Sequence, residues 1–353
     1  METAHLEVTV QIIVPARNEE DCIGRCLESL VRQQGIGFEI IVVDDGSTDQ
    51  TWGIAESFPP VHLISAPEPA PGITGKCNAV IIGAQKATAK WLLFTDADTV
   101  HYPGSLAAAV LEAETRGVGL LSYSPEQEAD SWGELALMPV VFADLVRVYP
   151  PERVNDPTDP AVAANGQYIL VRREAYKALG GHQAVADKIL EDLELARLFK
   201  ASGHKILFRH GAGQVRTRMY RNFRAMCEGW TKNLALLFRH PLKLALIRGL
   251  EFILILVLPV AAAALLLKGH PTGLVMLAGG FFFYLLFLVR VRRAHFPMRA
   301  NLMALFGLPL FVILLVRSYF HSNVRGAVTW KGRTYAHSAP QEAANSSIKK
   351  ELS

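Results

Sequence analysis

Short apolar runs alternate with amphipathic stretches through the first half of the chain. VTVQIIVPA (8–16) reads as a strand, and EEDCIGRCLESLVRQQ (19–34) carries Cys22, Ile23, Cys26, Leu27, Leu30 and Val31 at helical spacing. FEIIVVDDGSTD (38–49) is a strand ending in acids and a turn. A helix (50–57), the strand VHLISA (61–66) and a Pro/Gly loop, PEPAPGITG (67–75), come next. A helix through GKCNAVIIGAQKA (75–87) leads into WLLFTDAD (91–98), an apolar run that delivers Asp96 and Asp98 at its end. Wholly apolar strands separated by helices predict an α/β fold, a parallel sheet covered by helices. Ligands of such sheets bind beyond the carboxyl ends of the strands, so Asp44, Asp45, Asp96 and Asp98 are expected to face one cleft. The pattern from 102 to 200 is less regular. PPERVNDPTDPA (150–161) is a polar loop, ANGQYILVRREAYKALGG (164–181) a strand and short helix, and ILEDLELARLFKASG (189–203) a helix ending near Gly203.

Near residue 218 the pattern changes. MYRNFRAMCEGWTKNLALLFRHPLKLALIRG (219–249) mixes Arg and Lys with Phe, Trp and Leu, as helices lying in a membrane interface do. LEFILILVLPVAAAALLL (250–267), LVMLAGGFFFYLLFLV (274–289) and NLMALFGLPLFVILLV (301–316) are apolar runs of near-spanning length. The connector between the last two carries Arg290, Arg292, Arg293 and Arg299, which the positive-inside rule places in the cytoplasm. The third run reads either as a full span or as a re-entrant hairpin bent at Gly307–Pro309. The expected divisions are a catalytic domain (1–217), interface helices (218–249), membrane helices (250–320), and a basic juxtamembrane segment with a disordered tail (321–353).

Composition agrees. The mean hydropathy of +0.21 is high for a soluble protein, and a net charge of +3 does not suggest a nucleic-acid partner. The first twenty residues lack a basic start followed by a long apolar core, so no signal peptide is expected and the catalytic domain should be cytoplasmic. Cys22, Cys26, Cys77 and Cys227 form no zinc pattern and read as reduced thiols.

Two carboxylates at i and i+2 of an extended segment point to one side. Asp96 and Asp98 could thus hold Mg²⁺ or Mn²⁺ through oxygen and leave sites for phosphate. DADTVHYPGSLA lacks the Gly and terminal Glu of an EF-hand loop. PARNEE and VVDDGSTD bring Pro15, Arg17, Glu19 and Asp45 toward the same cleft. Lys76 opens a helix after a Gly-containing loop, where free amides and positive charge favour a diphosphate. No Walker motif, GxGxxG or nucleophile elbow is present, so nucleotide hydrolysis, dinucleotide redox and serine chemistry lack support.

PARNEE, VVDDGSTD, the Lys76 segment, TDAD, and ILEDLELA followed by RMY resemble the inverting family 2 glycosyltransferases of GT-A fold, over roughly residues 8–230. GQYILVRREAYKALGGHQAVADKILEDLELA, the apolar tail and WKGRTY are similar to membrane-bound lipid glycosyltransferases of the carotenoid- and hopanoid-associated kind. The resemblance implies that Asp45 contacts the uracil or ribose of a UDP-sugar while Pro15–Glu19 frames the base. It implies that Asp96 binds the ribose side, Asp98 ligates the metal, Asp192 beside Glu191 is the catalytic base, and Arg218 closes over the diphosphate. The chain departs from the family's QxxRW segment: Val215 stands three before Arg218, and Tyr220 lies two after it.

The chemistry is coherent on its own terms. A departing nucleoside diphosphate needs cationic groups, and the attacking acceptor needs a base on the opposite face. His182 is a candidate acceptor neighbour and His210 a candidate extra metal ligand. Trp230 and Trp330 are expected to anchor the membrane interface. The expectation is a multi-pass inner-membrane enzyme that transfers a hexose, most simply from UDP-glucose, to a hydroxyl or carboxyl of a lipid. The interfacial segment would hold its cleft at the bilayer. A processive polysaccharide synthase and a non-catalytic nucleotide-binding module are the alternatives.

Overall fold

A computed structural model describes residues 7–188, 190–220, 222–324, 327–330 and 333–336. The elements run β1 (Val8–Ala16), α1 (Ile23–Val31), β2 (Gly37–Asp44), α2 (Thr51–Glu56), β3 (Val61–Ser65), α3 (Gly75–Lys86), β4 (Trp91–Phe94), β5 (Thr99–His101), α4 (Ser105–Arg116), β6 (Leu120–Ser124) and β7 (Glu126–Gln127). They continue with α5 (Trp132–Val148), α6 (Pro151–Val154), β8 (Ile169–Arg172), α7 (Arg173–Ala178), a 3-10 turn (Gly181–Val185), α8 (Glu191–Ala201), β9 (Ile206–His210) and β10 (Val215–Thr217). The last are α9 (Phe223–Leu237), α10 (Pro241–Leu267), α11 (Thr272–Arg292), α12 (Met298–Val324), β11 (Ala327–Trp330) and β12 (Arg333–Ala336).

The main sheet has the order β3-β2-β1-β4-β8-β6-β9. β1 is apolar on both faces because helices cover both. Val10, Ile12 and Val14 pack with Ile23, Cys26, Leu27 and Leu30 of α1. Ile13 packs on the other side with Val80 and Ala84 of α3. The first four strands are parallel, as their unbroken hydrophobicity predicts. The expectation of a purely parallel sheet is corrected at β8, which runs antiparallel to both β4 and β6. Pairing of Phe94 with Ile169 and of Trp91 with Arg172 puts the start of β8 beside the end of β4. A smaller sheet, β5-β10-β7, lies beyond these ends. The region 102–200 is also more ordered than its pattern suggests, since α4, β6 and α5 occupy much of it.

The chain divides into two compact units, one of residues 1–223 with 282–307 and the other of 224–281 with 308–353. The first differs from the domain drawn at 217, because it includes the Arg-rich connector and the helix ends beside it. α5 is buried along most of its length, and its fully buried Asp144 pairs with Arg147 at 3.5 Å and with Arg290 of α11 at 3.3 Å. Further along, α12 meets α5 at Gly307. A Cβ there would lie 2.0 Å from the carbonyl oxygen of Ala136 and 3.0 Å from the Leu137 Cα. Backbone cannot yield as a flexible side chain does. Gly307→Val is therefore expected to cost about 1–3 kcal/mol and to lower the melting temperature in detergent by roughly 5 °C, measurable by differential scanning fluorimetry.

The second unit holds α9 and α10, so the basic aromatic stretch is helical and its last part runs straight into the first apolar helix. Trp230 on α9 is 2% exposed, which corrects its assignment as a surface anchor. The side chain of Trp330 and residues 337–353 lie outside what is described. α10, α11 and α12 are each long and apolar enough to cross a membrane, with mean hydropathies of 2.7, 2.2 and 2.0 over their most apolar windows. α12 is one continuous helix through Pro309, which corrects the hairpin alternative.

Candidate active site

The loops after β1 and β2 are zipped together by side chains acting on backbone. Asn18, at φ +52°, donates from its N–H to the Ser47 hydroxyl at 3.0 Å and accepts from the Thr48 N–H at 2.9 Å. Glu19 N–H donates to Thr51 Oγ1 at 2.7 Å, and Asp44 accepts from the Ser47 N–H at 3.0 Å. Arg17 donates to the Asp45 carbonyl and pairs with its carboxylate at 3.5 Å. The PARNEE and DDGSTD segments thus make one rigid rim at neighbouring strand ends, where a ring-bearing ligand could be framed by backbone and by the Arg17–Asp45 pair.

β4 ends at Phe94, so Asp96 and Asp98 sit on a turn leading to β5 rather than in an extended run. They accordingly have different partners. Lys76, in the first turn of α3, contacts Asp96 at 2.8 Å and Glu191 at 3.5 Å. Burial works against the Lys76 charge, but Asp96 and Glu191 outweigh it and raise the pKa. Asp98 receives only a weak amide contact, from Gln167 Nε2 at 3.4 Å and 3.5 Å to its two oxygens. Burial, then Asp96 and Glu19, push the Asp98 carboxyl up to about 7.

Below the turn lies a buried polar layer. Thr95 Oγ1 donates to the Gln167 carbonyl at 2.8 Å, and Thr99 Oγ1 to the Asp96 carbonyl at 2.7 Å. His101 Nε2 bonds both hydroxyls at 3.0 Å and 3.2 Å, and burial holds its pKa down to about 3. A neutral imidazole thereby fixes the turn without adding charge.

Asp192 stands in the first turn of α8. Its Oδ1 accepts from its neighbour Leu193 N–H at 2.8 Å, and its Oδ2 from Gly166 N–H at 2.9 Å. Burial first, then Glu191, push its carboxyl up to about 6, against the opposing charge of Lys76. Pro15, Lys76, Asp96, Gly166, Glu191 and Asp192 line a single hollow at the sheet's ligand-binding edge. Lys76→Met should therefore raise the Asp192 pKa by about one unit, because the opposing cation is gone and only the N–H groups of Gly166 and Leu193 still favour the carboxylate; carbon-13 NMR of labelled aspartate reads the shift.

Other expected residues are placed elsewhere. Arg218 pairs with Asp130 and Glu134, both at 3.4 Å, rather than with the Asp96–Lys76 cluster. His210 stacks on His295 at 4.5 Å between ring centroids, which corrects its candidacy as a metal ligand. Gln167 was missed by sequence reasoning. Its signal is its place just before β8: an antiparallel strand begins where its parallel neighbours end, so Gly166 and Gln167 enter the cleft.

Among the described residues no three His, Cys, Asp or Glu side chains converge as a ready metal cluster. Asp98 nevertheless fits a hard dication as its single protein ligand. It is a half-buried carboxylate among acids, with one weak donor and, among the described residues, no ion pair, Lys76 acting on it only at longer range; phosphate and water oxygens complete such shells.

Residues 11–180 match the model for glycosyl transferase family 2. The 4,4'-diaponeurosporenoate glycosyltransferase of Staphylococcus aureus strain MRSA252 is 32% identical over 233 residues, covering 64% of this chain and 60% of that protein. The same enzyme of strain USA300 is 31% identical with the same coverage. The chain thus spans about 60% of the length of the curated relatives it matches. A mannosyltransferase from Pyrobaculum calidifontis, solved in complex with GDP-Man and Mn2+, aligns with a TM-score of 0.49 and 18% identity, over 90% of this chain and 87% of that one. The mixed α/β sheet agrees with the GT-A class expected from the sequence. By the family match, the segment 11–180 that supplies most of the hollow's wall is a member of glycosyl transferase family 2.

Proposed function

We propose that the protein transfers a hexose, with inversion, from a UDP-sugar to a carboxyl or hydroxyl group of a membrane lipid, UDP-glucose being the first donor to test. One observation carries the reading: Asp96, Lys76 and Asp192 meet in one hollow, so a donor anchored by the first two presents its sugar to the third. The rim of Pro15, Arg17, Glu19 and Asp45 frames the uracil and ribose, and Asp96 takes the ribose side. Lys76 supplies positive charge beside the diphosphate, and Arg218 approaches it on closure. Asp98 would hold Mg²⁺ or Mn²⁺, which when bound neutralises the charge developing on the diphosphate.

Asp192 takes the proton from a hydroxyl acceptor, whereas a carboxyl acceptor is already ionised at neutral pH. A carboxyl pushed up to about 6 is ionised at neutral pH yet basic enough to accept that proton. The acceptor oxygen attacks the anomeric carbon from the face opposite the diphosphate, and the C–O bond to the diphosphate breaks. One displacement inverts the configuration and requires no protein nucleophile. Three apolar helices support a lipid acceptor and an inner-membrane location. The Arg-rich connector belongs to the same unit as the hollow, which by the positive-inside rule supports a cytoplasmic catalytic domain. The test incubates membranes containing the protein with radiolabelled nucleotide sugars and total lipid extract. Mass spectrometry should find a lipid bearing one sugar; a long polymer or an unlabelled lipid fraction overturns the reading.

A further inference from the structure

The hollow contains a buried imidazole that the reaction above does not use. His182, 3% exposed, lines it together with Lys76, Glu191 and Asp192. The ring sits edge-on to Phe94, with centroids 4.7 Å apart and planes at 76°, so its orientation is fixed by packing. Its tautomer is fixed as well. The Tyr176 oxygen accepts the His182 backbone N–H at 3.0 Å, and the phenol lies 2.9 Å from His182 Nδ1. The phenol already accepts one N–H, and His182 Nδ1 is its one side-chain hydrogen-bond partner among the described residues, so its proton is assigned to that contact. Nδ1 is then the acceptor and Nε2 carries the ring proton.

This arrangement is built into the chain locally. Gly180 and Gly181 have φ of +77° and +53°, and a Cβ on Gly181 would fall 2.3 Å from the Tyr176 Cζ. Only a glycine there lets the phenol reach both atoms of the next residue. Burial also keeps the imidazole uncharged, holding its pKa down to about 3. The result is a neutral, immobile N–H donor in the wall that also carries the base.

Resting on the reading of Asp192 as base, we infer that His182 Nε2–H binds the second oxygen of a carboxyl acceptor and so selects acids over alcohols. A hydroxyl acceptor gives its proton to Asp192 and attacks through its only oxygen, and a donor on that oxygen would weaken the nucleophile. A carboxyl acceptor has another oxygen that must leave water, and leaving it unpaired is costly. His182 supplies that partner as a neutral donor, in a wall where Lys76 is already engaged by Asp96 and Glu191.

The full-length protein in phospholipid vesicles, supplied with UDP-[¹⁴C]glucose, is assayed with retinoic acid and with retinol as probe acceptors. His182→Phe should lower kcat/KM for retinoic acid about tenfold while leaving retinol transfer and the KM for UDP-glucose unchanged. His182→Gln, whose amide can present an N–H near the Nε2 position, should recover most of the loss. Tyr176→Phe, which frees the tautomer, should produce a smaller loss confined to the acid. Equal losses on both probes, a raised KM for UDP-glucose, or no change with the acid would each overturn the assignment. A wild-type protein that glucosylates neither probe overturns the transferase reading, and this assignment with it.

Discussion

Asp192→Asn is expected to lower sugar transfer about a thousandfold, the scale of a lost general base, while nucleotide-sugar affinity changes by less than about threefold. The asymmetry follows from where the carboxylate sits. Asp192 faces the hollow from the first turn of α8, whereas the Arg17–Asp45 pair belongs to the rim at the ends of β1 and β2. Both of its oxygens already accept a backbone N–H, from Gly166 and from Leu193. An asparagine must turn its NH₂ toward one of those donors, so a small fall in melting temperature should accompany the kinetic loss. Radiometric transfer and calorimetric titration of the nucleotide separate the two effects. The wild-type profile should also lose activity as pH falls through about 6, because burial makes Asp192 take up its proton early. An Asp192→Asn protein that retains full turnover removes the residue from the mechanism.

Asp98→Ala should weaken Mn²⁺-dependent binding of UDP at least about 100-fold, with no loss of stability in the metal-free protein. Asp98 is the carboxylate of the pair that Lys76 leaves without a cation, since Lys76 is engaged by Asp96 and Glu191. Its side-chain partner is the amide of Gln167 at 3.4 Å, a long contact that contributes little. Removing a half-buried negative charge from beside Asp96 and Glu19 relieves repulsion and leaves no partner charge behind. Metal-free melting curves should therefore be equal or higher, whereas titration of Mn²⁺ into the UDP mixture should show the loss. A variant that binds Mn²⁺ and UDP as the wild type does would show that the ion, if it binds, sits elsewhere.

Much of this site could be read along the chain because its parts are local. The apolar runs before Asp44 and Asp96 fix two strands, and strand ends in an α/β sheet carry the ligand. Asp192 is singled out because ILEDLELA resembles the family's base-bearing segment, with Glu191 beside it. Long-range relations were not legible in the same way. Nothing in YILVRR states that the strand runs backward, and that reversal is what brings Gly166 and Gln167 under the acids. Lys76 reads as a phosphate contact, but its second partner, Glu191, depends on where α8 comes to lie and has no local signal. Arg218 is expected at the diphosphate from the resemblance of RMY to the family's QxxRW segment, whereas the capping box of α5 sets Glu134 within its reach. The periodicity of α5 was masked because a helix buried nearly all round shows no polar face.

The close seat of Gly307 on Ala136, with Asp144 held by Arg290, has a bearing on biogenesis. Translation delivers α5 well before the segment 282–307 that covers it, with α10 and the start of α11 made in between. The nascent chain must therefore wait, an apolar face uncovered, until those later helices have been made. Completion of this unit is in this way tied to the placing of the apolar helices, and copies in which that fails would be marked for chaperones or proteases by that same bare helix.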